Sequence, residues 1–261
     1  MRVKIASNLW RDLFLRLLSV VVEVKSLEEI GVSVQKRVVI TGGNKGIGLE
    51  LTRSFLQLKY AVVVIARDFE GFALRDEVEC VAFDLTEIEQ IAEMVQKIGK
   101  IDILINNAGL MHAVAFDSYS QEKKESILKL NLEAPIELIS EFSKSMTEGS
   151  RIVNNASIAG EIGHPDIWYG ITKAGLINAT KSFSKIFAGR IIVNAVAPSP
   201  TQTDMLEVIP KPRRDAFLAN TITKRFATAD EVAKTMLWLA TESPEYINGT
   251  CIDINNGSFE R

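Results

Sequence analysis

Thr41-Gly42-Gly43-Asn44-Lys45-Gly46-Ile47-Gly48 lies between a short apolar run, RVVIT at 37–41, and a segment with helical spacing at 47–58. Glycines let the backbone approach a ligand closely, and the N–H groups and dipole at a helix N-terminus favour an anion. A glycine cluster alone would fit a simple tight turn as well. Its position after a buried strand and before a helix predicts a loop that binds the pyrophosphate of a nucleotide.

On both sides of this loop's strand and helix, short β-branched runs alternate with longer segments of helical spacing. The strand-like runs are 37–41, 61–66, 79–84, 101–105, 151–155, 190–197 and 250–254, and the helical segments are 47–58, 86–98, 121–146, 168–188 and 229–241. The strand-like runs are almost continuously apolar, as expected of strands buried on both faces. This alternation predicts an α/β fold, a Rossmann-like doubly wound parallel sheet of about seven strands with helices on both faces.

Composition narrows the classes of function. The 261 residues include 47% hydrophobic and 24% charged residues, and 30 Lys+Arg against 33 Asp+Glu give a net charge of −3. This composition is that of a globular protein and argues against a nucleic-acid partner. The two cysteines, Cys80 and Cys251, lie in apolar runs, and the two histidines are isolated. No metal site is therefore predicted.

The first 35 residues differ from the rest. The apolar residues among them recur at the steps of one helical face: Trp10, Leu13, Phe14, Leu17, Leu18, Val21 and Val22. We expect an N-terminal extension, 1–35, that forms an amphipathic helix for packing or oligomer contact, or a poorly ordered tail, followed by one catalytic domain, 36–261. Association with a membrane surface is the alternative. No uninterrupted apolar run there exceeds three residues, as at Val20–Val22, so no integral membrane segment and no secretory signal are predicted, and we expect a cytoplasmic location.

The residue after the second strand bears on nucleotide preference. An acidic residue there would bind a ribose 2′-hydroxyl, whereas an arginine accommodates a 2′-phosphate. The second run ends at Arg67, and Lys45 lies beside Gly46 of the loop, so NADP(H) is favoured. Asp68 is the counter-evidence, and NAD(H) remains open. Asp84, at the end of the third run, could accept a hydrogen bond from adenine or cap a helix.

A second constellation lies in the second half of the chain. Tyr169 and Lys173 are one helical turn apart, and a nearby positive charge favours the phenolate of a tyrosine. That spacing suits proton transfer, although the pair alone is common on helices. Ser157 ends the apolar run IVNNAS, where a hydroxyl at the carboxyl end of a strand can point into the ligand crevice.

Taken together, these motifs resemble the short-chain dehydrogenase/reductase family over about residues 36–257. They are Thr41-Gly42-x-x-x-Gly46-x-Gly48, Asn106-Asn107-Ala108-Gly109, Asn131, Ser157 and Tyr169-x-x-x-Lys173, in the order of the family. The segments NAVAPSPTQTDM, KRFATADEVA and YINGTCIDINNG are most similar to the 3-oxoacyl-acyl-carrier-protein reductase type.

The resemblance implies roles for four catalytic residues. Tyr169 would be the general acid or base, and Lys173 would lower its pKa and hold the nicotinamide ribose. Ser157 would stabilise the substrate oxygen, and Asn131 would take part in a proton relay. The implied cofactor-binding residues are Thr41, Gly42, Asn44, Lys45, Gly46, Ile47, Gly48, Arg67, Asp84, Leu85, Asn107, Ala108, Gly109, Tyr169, Lys173, Pro198 and Thr203.

We therefore expect an oxidoreductase that transfers hydride between NADPH and a carbonyl or secondary alcohol, with a 3-oxoacyl thioester among the candidate substrates. An NAD-dependent alcohol or sugar dehydrogenase and a nucleotide-binding scaffold without efficient turnover are the alternatives. The expected partners are a small-molecule carbonyl or acyl substrate, free or carrier-bound, and further copies of the chain in a homodimer or homotetramer.

Two further features concern the substrate side. The segment between Thr203 and Asp230 contains apolar residues that suggest a lid and five cations that could receive an anionic substrate or an acidic carrier, although solvated charges explain them as well. These cations are Lys211, Arg213, Arg214, Lys224 and Arg225. The chain also has Ser199 where the family usually has glycine, and a side chain there could change the path of the loop that follows the run at 190–197.

Overall fold

The structure is a computed structural model that describes residues 35–259. A seven-stranded parallel sheet, in the order β3-β2-β1-β4-β5-β6-β9, confirms the predicted fold class. The strands are β1 (Arg37–Thr41), β2 (Ala61–Ala66), β3 (Glu79–Ala82), β4 (Ile103–Asn106), β5 (Ser150–Asn155), β6 (Ile191–Pro198), β7 (Thr201–Gln202), β8 (Ala227–Thr228) and β9 (Cys251–Ile254). The helix predicted within residues 1–35 lies outside the described residues.

Helices form within all five segments of helical spacing, one of which is interrupted, and two further helices, not predicted, follow β6. The α-helices are α1 (Gly46–Gln57), α2 (Ile91–Ile98), α3 (Gln121–Leu128), α4 (Ala134–Phe142), α5 (Ile167–Phe187), α6 (Asp204–Val208), α7 (Lys211–Asn220) and α8 (Ala229–Thr241). The single helix predicted at 121–146 is wrong in detail, because a π-helical segment at Lys129–Glu133 separates α3 from α4. None of the helices in the described part of the chain is long and apolar enough to cross a membrane.

Alternation along the strands divides the core between the two faces of the sheet. Val39 of β1 packs with α2 and α4, whereas its neighbours Val38 and Ile40 pack with α1 and α8 on the other face. Because helices cover both faces, the central strands are buried throughout. The expectation of burial on both faces is wrong for β3, which is an edge strand and has its Glu79 exposed.

The parallel arrangement brings the carboxyl ends of β1, β4, β5 and β6 to one edge of the sheet. Hydrogen bonds between side chains and backbone hold this edge together. The hydroxyl of Thr41 accepts from the N–H groups of Asn107 and Ala108, each at 2.9 Å. Asn106 donates to the Asn154 side chain at 2.9 Å, so β4 and β5 are joined below the site.

The segment after β6 is more ordered than the sequence indicates. It contains α6 and α7, and the short parallel ladder of Thr201–Gln202 with Ala227–Thr228 closes its base. We call residues 203–226 the flap. Met205 and Ile209 of the flap pack against the cluster that includes Tyr169. The flap therefore covers the same edge of the sheet on which the predicted site residues lie.

Candidate active site

A cavity of about 1200 Å³ opens at the carboxyl edge of the sheet. It extends from the glycine loop after β1, past the ends of β4 and β5, to the flap. The predicted site residues that line it are Gly42, Asn44, Lys45, Gly46, Ile47, Arg67, Asp84, Leu85, Asn107, Ala108, Gly109, Ser157, Tyr169, Lys173, Pro198 and Thr203. Thr41, Gly48 and Asn131 do not line the cavity. Each of them contacts a residue that does.

The glycine loop has the conformation that its sequence requires. Gly42 and Gly46 have φ of +64° and +53°, in the left-handed region that favours glycine. A Cβ on Gly48 would lie 2.0 Å from the carbonyl oxygen of Gly42, so the loop folds tightly against the start of α1. Lys45 is the N-cap residue of α1, but its side chain does not cap the helix. The start of α1 therefore faces the cavity, and a ligand can approach the backbone of the glycine loop closely.

At the end of the cavity beside β2, two cations flank the loop. Lys45 and Arg67 are exposed, and neither has a carboxylate within 4.0 Å among residues 35–259. Burial works to raise the pKa of Asp84, but hydrogen bonds from Thr86 and the charge of Arg67 outweigh it and lower that pKa. Asp68, Glu70 and Asp84 line the same end of the cavity, so what suits a phosphate there is the two cations without a paired carboxylate and not a net positive charge.

Tyr169 is almost fully buried on the first turn of α5, with 8% of its surface exposed. Burial raises its pKa, a hydrogen bond with Ser157 lowers it, and the carboxylate of Asp166 raises it, with the net effect upward from the ordinary value of 10.0. At neutral pH the side chain is therefore a neutral phenol with a proton to donate. Ser157 also lines the cavity, and its hydroxyl accepts from the N–H of Ala159 at 3.2 Å.

Lys173 lies one turn further along α5 and is also buried. Its Nζ donates to the carbonyl oxygen of Asn155 at 2.7 Å and lies 5.8 Å from the centre of the Tyr169 ring. Burial lowers the pKa of Lys173 from 10.5 to about 8. Lys173 is not among the groups that shift the pKa of Tyr169 in this structure, so the predicted lowering of that pKa by Lys173 stays a prediction.

Asn131 lies in the π-helical segment, a distortion that occurs often at functional sites. Its side chain accepts from the N–H of Leu110 at 2.9 Å and donates to the Leu110 carbonyl at 2.8 Å. A Cβ on Gly109 would lie 3.3 Å from Asn131 Oδ1 and 3.5 Å from Lys173 Nζ. Asn131 therefore fixes the loop after β4 and lies near the ammonium, where a proton relay would need it.

Asp166 is a further site residue that was not among those predicted from the sequence. It is 1% exposed and is the N-cap residue of α5. Its carboxylate accepts from the N–H of Tyr169 at 3.1 Å, from the N–H of Ala113 at 2.8 Å and from the hydroxyl of Tyr119. Burial and this hydrogen bond raise the pKa of Tyr119. An Asp three residues before Tyr169 is a capping pattern that the sequence contained, but the contact with Tyr119 has no local signal.

Two other expectations concern residues beside the site. Ser199 is buried, its N–H donates to the carbonyl of Ile254 at 3.0 Å, and its φ is not positive, so this position does not require glycine. The absence of a metal site stays a prediction. Glu161, Cys251 and Asp253 place potential ligand atoms within 4.8 Å of one another, but they do not line the cavity.

Comparison with known proteins adds independent evidence. A family model described as enoyl-(acyl carrier protein) reductase matches residues 42–258. The chain is 33% identical over 238 residues to a 3-oxoacyl-[acyl-carrier-protein] reductase of Thermotoga maritima, a match that covers 84% of this chain and 96% of the relative.

Solved structures match over a similar range. A short chain dehydrogenase from Burkholderia cenocepacia in complex with NADP is 25% identical, with a TM-score of 0.79 over 85% of this chain and 97% of that one. A short-chain dehydrogenase/reductase from Brucella melitensis, described as glucose/ribitol dehydrogenase, is 26% identical, with a TM-score of 0.80 over 87% and 97%.

The buried ammonium of Lys173 generates a prediction about stability. Between about pH 8 and pH 10.5 the unfolded protein binds more protons at this residue than the folded one, so this group makes the wild type more stable as pH rises. Lys173→Met removes the effect. The difference in melting temperature, variant minus wild type, should decrease by several degrees between pH 7 and pH 10. Thermal denaturation followed by circular dichroism measures this difference.

Lys181→Met, a change at an exposed position of the same helix, is the matched control and should show little such trend. If the melting temperature of Lys173→Met minus that of the wild type stays constant or increases with pH, the ammonium of Lys173 is not destabilised by burial.

Proposed function

The chain belongs to the short-chain dehydrogenase/reductase family, and from that premise we propose that it is an NADPH-dependent carbonyl reductase. The observation that carries the proposal is the single cavity in which the glycine loop, Ser157, Tyr169 and Lys173 meet. A scaffold without turnover would not need a buried phenol and a buried ammonium, both of which are costly to keep in a protein interior.

The residues present fit a dinucleotide. The left-handed glycines of the loop and the tight approach of Gly48 to Gly42 leave backbone space for a pyrophosphate at the start of α1. Lys45 and Arg67 would hold the 2′-phosphate, in agreement with the NADP named for the Burkholderia relative. When bound, the nicotinamide supplies or accepts the hydride.

The side chains of this protein would manage the oxygen of the substrate. Ser157 Oγ would donate a hydrogen bond to the carbonyl oxygen, and it would stabilise the negative charge that develops there. Tyr169 Oη would then pass its proton to that oxygen, so that an alcohol forms and a phenolate remains. The raised pKa of Tyr169 keeps it protonated at neutral pH, the state that reduction requires.

The phenolate must regain a proton before the next turnover. We assign this step to Lys173, because burial lowers its pKa to about 8 and its ammonium lies 5.8 Å from the phenol ring. We assign Asn131 to the same path as a positioning residue that holds the loop beside the ammonium. A charged Lys173 would also lower the pKa of Tyr169 and bind the nicotinamide ribose.

The finer assignments extend the same proposal. The Thermotoga relative supports a 3-oxoacyl thioester, free or carrier-bound, as a candidate substrate. We propose a homodimer or homotetramer in the cytoplasm, with residues 36–261 as the catalytic domain and residues 1–35 as an extension to it.

Tyr169→Phe tests the reaction. The variant keeps the ring but has no proton to donate, so kcat for ketone reduction should fall by about 100- to 10,000-fold while NADPH affinity changes little. NADPH absorbance with a panel of ketones and 3-oxoacyl esters measures the rate, and fluorescence titration measures binding. Tyr60→Phe, the same change outside the cavity lining, is the control. A wild type that reduces none of the panel, or a fully active Tyr169→Phe, would refute the proposal.

Arg67→Ala tests the cofactor assignment. Loss of a charge-assisted bond to the 2′-phosphate should raise the Kd for NADPH by about 10- to 100-fold and leave the Kd for NADH nearly unchanged. Lys45→Ala should act in the same direction. Arg53→Ala removes an exposed cation of α1 that does not line the cavity, and it should alter neither constant. Tighter binding of NADH than of NADPH by the wild type would count against the assignment.

A further inference from the structure

One face of α7 points into the cavity. Arg213, Phe217 and Asn220 line it at the i, i+4 and i+7 positions of the helix. Phe217 anchors this face, because it packs against the cluster of Ala156 and Ile158 at the end of β5 and stacks on Phe226. With Phe217 held there, the side chain one turn earlier is directed toward the site.

That side chain is Arg213, and it contacts His164 inside the cavity. A guanidinium nitrogen of Arg213 lies 3.1 Å from His164 Nε2. Since a guanidinium can only donate, Nε2 accepts, and the ring proton is on Nδ1, which donates to the carbonyl oxygen of Asp166 at 3.1 Å. The imidazole is therefore neutral and fixed. Burial and the charge of Arg213 lower the pKa of His164, against the opposing effect of Asp166.

The contact places a cation close to the reacting groups. The ring of His164 is 5.4 Å from that of Tyr169, so one imidazole separates the guanidinium from the catalytic phenol. The neighbouring flap residues that line the cavity include Met205, Val208 and Ile209. Asp204 and Arg214 of the flap also line the cavity, but Arg214 is paired with Glu207, so Arg213 is the guanidinium there with which an anionic ligand could pair.

The charges of the flap point the same way. α7 begins with Lys211, Arg213 and Arg214 and has no acidic residue in its first turn, although the helix dipole disfavours cations there. Lys211 pairs with Asp215 at 2.6 Å, and Arg214 pairs with Glu207 at 2.7 Å. For Arg213, the structure between residues 35 and 259 places no carboxylate within 4.0 Å.

We propose that Arg213 is a specificity-determining residue that binds an anionic group, a carboxylate or a phosphate, on the carbonyl substrate. The proposal rests on the carbonyl reductase function proposed above. A planar guanidinium can bind either group through two hydrogen bonds, and the donor shared with His164 sets its orientation. His164 is then a positioning residue. The substrate class is a carbonyl compound with its charged group within reach of the flap.

Two pairs of substrates test the proposal and separate the two sources of the anion. 3-Oxobutanoate and its methyl ester differ in a carboxylate, and the 3-oxobutanoyl thioesters of phosphopantetheine and of pantetheine differ in a phosphate. We expect Arg213→Gln to lower kcat/KM for the anionic member of at least one pair by about 10- to 100-fold, mainly through KM, and to leave the neutral members unchanged. The affected pair identifies the anion.

Three controls test whether the effect is specific to the guanidinium of Arg213. Arg213→Lys should retain part of the discrimination, because it keeps the charge but not the planar fork. Lys211→Gln removes a cation from the same helix outside the cavity lining and should change neither pair. Melting temperatures establish that each variant is folded.

Three outcomes would overturn the assignment in different ways. If the wild type reduces the neutral substrates and Arg213→Gln changes both members of each pair equally, Arg213 does not read an anion and the carbonyl reductase function still stands. If the wild type with NADPH reduces ketones of the panel above but none of the four compounds, the assignment of Arg213 fails and the carbonyl reductase function stands. If it reduces neither the panel nor the four compounds, the proposed function fails, and the assignment of Arg213 fails with it.

Discussion

A single buried carboxylate, that of Asp166, holds the start of the helix on which the chemistry depends. It accepts from the backbone of Tyr169, from the backbone of Ala113 and from the hydroxyl of Tyr119. These donors come from three separate parts of the chain: α5, the loop after β4 and the residues before α3. Buried charges are tolerated only when they are bonded in this way. Burial is the main cause of the raised pKa of Tyr169, and the same carboxylate raises that pKa further, so Asp166 both positions the phenol and favours its protonated form.

The rest of the site follows from the parallel sheet. Because the carboxyl ends of the central strands share one edge, the glycine loop, the Asn107 loop and Ser157 are brought together although they are far apart in sequence. Thr41 and Asn106 join neighbouring strand ends through their side chains. The flap then covers this edge, and its ladder of β7 with β8 fixes both of its ends. The site is therefore a property of the sheet edge as a whole.

The strands and the glycine loop could be predicted from the sequence, because both depend on local patterns of residues. Apolar runs predicted the seven strands, and glycine spacing predicted the loop. Three features lacked a local signal. The π-helical turn around Asn131 looks like ordinary helix in sequence, and the contact of Tyr119 with Asp166 spans 47 positions. The contact of His164 with Arg213 spans 49, and neither residue alone indicates it. Tertiary packing determines such features, and amphipathic spacing does not encode it.

The central claim is that this cavity reduces a carbonyl group with hydride from NADPH and a proton from Tyr169. The most direct test uses NADPH that carries deuterium at the transferable position of its nicotinamide, with a 3-oxoacyl ester as substrate and mass spectrometry of the alcohol. We expect the wild-type product to carry deuterium on the carbon that was the carbonyl carbon. Formation of no alcohol, or of alcohol without the label on that carbon, would contradict it.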